Sequence, residues 1–69
     1  MLTIDQIIIY MEHEIAHKRL EGRREELRHI QYAAGVLMHA ADNAGDKENA
    51  RRFRLVAAQA ANVREEMEG

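Results

Sequence analysis

Residues 13–17 read His-Glu-Ile-Ala-His. On a helix, two histidines four apart share a face and can hold a zinc ion, while the glutamate between them activates the zinc-bound water. That chemistry needs a third protein ligand and an open coordination position. An extended form of the motif would place a glycine at position 20 and a histidine at position 23, where the chain has Leu20 and Arg23. A glutamate ligand from a following helix could come only from Glu48 or the tail around Glu65, Glu66 and Glu68, which is poorly placed. The spacing therefore reads as a polar helix face, and no catalytic residue, metal ligand or cofactor is expected.

Arginines form the other chemically suggestive groups: Arg23, Arg24 and Arg28, then Arg51, Arg52 and Arg54. In two antiparallel helices these clusters fall at opposite ends, and Glu25, Glu26 and Glu48 lie close to them. They read as solvated faces first and as contacts for an acidic protein surface second. No basic recognition helix follows a helix-turn-helix pattern, and the net charge of −2 argues against a general nucleic-acid binder. His29 and His39 fall just beside the apolar seams. Tyr10 and Tyr32 are two of the three aromatics, a class enriched at binding hot spots; Tyr10 is the stronger candidate for a partner contact.

Sixty-nine residues make one small domain with a marginal core. There is no cysteine, so neither disulfides nor thiolate metal sites can staple it, and packing or self-association must serve instead. Proline is absent while Ala, Glu, Arg, Leu and Met abound, a helix-forming composition. No apolar run approaches the ~18 residues of a membrane span, and no secretory leader is recognisable. A cytoplasmic protein is expected.

Thr3-Ile-Asp-Gln6 has the form of a capping box, with Leu2 and Ile7 spaced for a hydrophobic staple. Asp5 adds negative charge where the helix dipole favours it. At the other end, Asn43-Ala-Gly-Asp46 supplies a glycine able to adopt φ > 0 and an aspartate able to cap the next helix. Gly22 is the ambiguous point. No capping residue stands beside it, glycine inside a helix costs only about 1 kcal/mol, and the pairs Glu14–Lys18 and Arg23–Glu26 suit helical spacing. The expectation is an all-α antiparallel hairpin: one long helix over about 4–43, bent at Gly22, and a second over about 47–67. Its last turn, with acidic residues against the dipole, should fray from about residue 65.

Apolar seams at 3–4 spacing run through Leu27, Ile30, Ala34, Leu37 and Ala41, and through Phe53, Val56, Ala60, Val63 and Met67. Folding at Gly45 faces one seam with the other. A second helix of about 21 residues covers only half of a first helix of 40. Ile4, Ile7, Ile8, Met11 and Ile15 would then lack a partner, at about 1.5–3 kcal/mol for each side chain left in water. A homodimer resembling a four-helix bundle, with these five residues at its interface, would cover them. Target contacts would then come from Tyr10, Glu14 and Lys18.

The full length, the opening residues 1–22 (MLTIDQIIIYMEHEIAHKRLEG) and the Gly45–Asp46 turn resemble the small early proteins of temperate bacteriophages. Within that group the chain looks most like the phage quorum-sensing anti-activators. The resemblance implies a helical-hairpin dimer that binds and disables host proteins, among them a LuxR-type quorum-sensing transcription factor and the ATPase that assembles type IV pili. A different reading, from the same hairpin format, is a nucleic-acid-associated regulator. Residues 13–17 also look like the zinc-binding helix of gluzincin-type peptidases, a likeness confined to those five positions.

Overall fold

A computed structural model describes residues 1–68. Its three helices are α1 (Ile4–Glu21), α2 (Arg24–Asn43) and α3 (Lys47–Glu68). The all-α class holds, but the two-helix hairpin does not: the expected helix over 4–43 is two helices that reverse at Gly22. A continuous helix of that length would run about 60 Å, whereas the longest dimension of the molecule is 37 Å. The third helix continues to Glu68, past the point where fraying was expected.

The capping box forms as its residues predict. The Gln6 N–H donates to Thr3 Oγ1 at 3.1 Å, and the Thr3 N–H donates to Gln6 Oε1 at 2.9 Å. Gly22 then ends α1 in the left-handed region, at φ 71°. Its N–H donates to the Arg19 carbonyl at 3.3 Å, and the Arg23 N–H to the Lys18 carbonyl at 2.9 Å. These are the paired bonds of a Schellman motif, which satisfy orphan carbonyls with backbone alone. A chain reversal here needs no capping side chain, and Arg23 indeed supplies none. Gly45, at φ 79°, repeats the motif after α2: its N–H donates to Asp42 at 3.0 Å and the Asp46 N–H to Ala41 at 2.9 Å. Asp46 caps α3 by accepting from the Asn49 N–H at 3.2 Å.

Breaking the first helix is energetically cheap compared with what it buries. Folding back places Ile8, Met11 and Ile15 in one core with Leu27, Ala34, Phe53, Val56, Ala60 and Val63. Three such side chains at about 1.5–3 kcal/mol each outweigh the roughly 1 kcal/mol scale of local helix propensity at one glycine. The ion pairs expected to favour continuity, Glu14–Lys18 and Arg23–Glu26, form on either side of the break, and a further contact of Lys18 closes the turn. Lys18 Nζ lies 3.6 Å from Glu14, 3.3 Å from Glu21 and, across the break, 3.5 Å from Glu26. Partial desolvation lowers the affinity of the Lys18 ammonium for its proton, but the Glu21 hydrogen bond and the charges of Glu21, Glu26 and Glu14 outweigh it and raise its pKa above 10.5.

The order is up-down-up. Asp5 pairs with Arg52 at 2.7 Å and Arg19 with Glu66 at 3.3 Å, so α1 runs parallel to α3 with matching ends. The α2–α3 pairing is the more extensive one, and both expected seams enter the core, with Ile30, Leu37 and Met67 at its edge and Ala41, half-buried, outside it.

Gly22→Ala distinguishes the two architectures by sign. A left-handed alanine costs about 1–2 kcal/mol, so the urea midpoint should fall; in a continuous helix the same change would add about 1 kcal/mol of stability and raise the midpoint. The α2–α3 turn also predicts acid sensitivity. Hydrogen bonds from the Asn49 side chain and backbone hold the Asp46 carboxyl below its ordinary 3.8, and the Lys47 hydrogen bond and charge do the same for Asp42. Their stabilisation is therefore present above pH 3.8 and lost as pH falls through the depressed values. Asp46→Asn retains a capping side chain but cannot titrate, and should flatten the acid limb of a stability-against-pH curve.

Candidate protein-binding groove

Four successive apolar residues of α1 point to different surroundings, as helical geometry requires. Ile8 is buried in the core, Ile9 is exposed beside Leu55 of α3, and Ile7 and Tyr10 face α2. Met11 and Ile15 extend the buried stripe; Ile15 is only 1% exposed. Of the five residues expected at a dimer interface, Ile8, Met11 and Ile15 are thus covered within one chain. Ile7 is half-buried and Ile4 is exposed. Folding α1 back covers three of the five within the chain and leaves Ile4 and Ile7 with accessible surface.

The side of α1 facing α2 is less completely covered. Between the two helices lies a groove of about 630 Å³, open to solvent. Ile7, Tyr10 and Met11 form its α1 wall, and Ile30 and Ala33 its α2 wall. Leu2 stands at one end and is 70% exposed. Ala33 contributes only a methyl group, which leaves room where a larger residue would close the gap. The staple residues Leu2 and Ile7 both line this space. Polar groups enter at the margin only, from Gln6, Glu14 and His29.

Tyr10 is 65% exposed at the groove wall, with the amphipathic body and polar tip favoured at interfaces. Glu14 lines the groove too, half-buried and held by Lys18. Lys18 itself lies outside the lining; its ammonium is engaged with three carboxylates. The structure therefore brings Tyr10 and Glu14 together and gives Lys18 to the turn. Sequence reasoning missed Ala33 and Ile30 as their counterparts. The signal was Ala33, next to the seam residues Ile30 and Ala34, visible only if a third helix was expected there.

His13 and His17 are exposed on α1. Among the described residues, no three or more His, Asp or Glu side chains converge on a point that could hold a metal. No helix of the described residues is long and apolar enough to cross a membrane. No family model matches the chain, and no curated protein or solved structure matches it either.

The core being intramolecular makes a direct prediction. Ile15→Ala should cost about 2–5 kcal/mol, and the loss measured by denaturant should be the same at low and high protein concentration. A loss that grows on dilution would place Ile15 between chains instead.

Proposed function

We propose that this chain is a non-enzymatic protein-binding inhibitor whose α1–α2 groove receives the apolar face of a helix from a host regulatory protein. The observation that carries this reading is the open apolar groove with exposed Tyr10 and Leu2 beside it. Two antiparallel helices with a gap between them offer the geometry of helix-in-groove recognition. An enclosed small-molecule site would bury most of its ligand, which an open groove does not.

The resemblance to temperate-phage anti-activators supplies the target class. On this reading the protein is phage-encoded, acts in the host cytoplasm, and disables a LuxR-type quorum-sensing transcription factor, with the type IV pilus assembly ATPase as a second target. The three-helix bundle departs from the helical-hairpin dimer of that group. Target contact is accordingly assigned to Tyr10, Glu14 and the groove floor rather than to a dimer surface.

Co-expression with a LuxR-type transcription factor and its reporter tests the proposal. Reporter output should fall, and the purified pair should bind directly. Ala33→Arg fills the groove from an exposed position, so it should abolish binding and restore output while the helical circular-dichroism signal is retained. His13→Ala, outside the groove, should behave as the parent chain. Undiminished reporter output with the parent chain would refute the assigned target, and binding indifferent to Ala33→Arg would refute the groove.

A further inference from the structure

A second surface differs in character from the groove. Where α2 runs into α3, Met38, His39 and Asp42 face Lys47, Ala50, Arg51 and Arg54 across a cleft of about 360 Å³, with no α1 residue in its lining. Its charge is opposite to that of the chain: three cations against one carboxylate, in a molecule of net charge −2. That carboxylate is already engaged, since Asp42 Oδ1 lies 2.6 Å from Lys47 Nζ.

Arg51 and Arg54 are left over. Most cations of this chain meet an acidic side chain: Arg19 with Glu66, Arg23 with Glu26, Arg28 with Glu25 and Arg52 with Asp5. Arg51 and Arg54 make no ion pair with any described residue, although carboxylates outnumber Lys and Arg 12 to 10. They are three apart on α3 and so project from one face. Their guanidinium forks suit carboxylates bidentately, and Met38 with Ala50 offers an apolar floor between them and α2.

We propose that this cleft is a docking site for an acidic helical segment of a partner protein, carrying two carboxylates one turn apart and an apolar side chain between them. The carboxylates meet Arg51 and Arg54, and the apolar residue rests on Met38 and Ala50. Charge complementarity selects this occupant. A nucleic-acid duplex would need a longer run of cations to neutralise several phosphates, and the remainder of this acidic chain would repel it. The proposal is independent of the α1–α2 groove, because the two surfaces share no lining residue.

The test uses the intact chain and a labelled Ala-rich helical peptide carrying two Glu one turn apart around a Leu, read by fluorescence anisotropy. Its Gln-for-Glu twin and an RNA oligonucleotide serve as comparison probes. Saturable binding of the Glu peptide is expected. It should weaken about tenfold or more with the Gln twin and with Arg51→Glu or Arg54→Glu, and should fall with added salt. Both arginines are exposed, so circular dichroism should show the fold retained. Ala33→Arg should leave this binding unchanged, which separates the cleft from the groove. No saturable binding at millimolar peptide, equal binding of the Gln twin or of either arginine variant, or tighter binding of RNA than of the Glu peptide would each overturn the proposal.

Discussion

Everything in this fold depends on covering the isoleucine-rich face of α1. A chain of 69 residues buries little surface, and Ile8, Met11 and Ile15 are a large part of what it has. The solution is the left-handed turn at Gly22, whose two backbone hydrogen bonds let α1 end and reverse. Glycine is required there because a Cβ at φ 71° is strained whatever space surrounds it. With α1 folded back, Ile8, Met11 and Ile15 are buried with residues of α2 and α3 in one intrachain core.

Charge refines this arrangement without driving it. Lys18 gathers Glu14, Glu21 and Glu26 around the first turn, and Asp42 with Lys47 spans the second. Asp5–Arg52 and Arg19–Glu66 tie the two ends of α1 to α3. Such solvent-accessible pairs are individually weak. The two α1–α3 pairs sit at the matching ends of two parallel helices and so agree with the register that the buried side chains set.

The binding surfaces follow from the same geometry. Close packing along the whole of α1 against α2 is prevented where Ala33, beside Ile30, offers only a methyl group to the facing wall of Ile7, Tyr10 and Met11. The resulting groove is a by-product of packing α1 onto the seam between α2 and α3. The basic cleft lies on the other side of that seam, where no third helix covers α2 and α3. Among the described residues, the groove is lined mainly by apolar side chains, and the cleft by three cations and one carboxylate.

Short-range features were legible from the residues. Thr3 and Gln6 form their capping box, Gly45 and Asp46 form their turn, and the seams through Leu27 and Phe53 enter the core. Each depends on neighbours within a few positions or on simple periodicity. Gly22 was not legible in the same way, because the local terms for a bent helix and for a reversal differ by about 1 kcal/mol. The deciding energy was the burial of side chains on α1 against residues some 40–50 positions away. That also settled the role of Ile8, Met11 and Ile15, which their spacing marked as needing cover without saying from where. Sequence alone determined that these residues must be buried and where the helices could begin and end. Only tertiary structure decided that the cover comes from the same chain, because burial is a property of the whole packed core and local propensity is not.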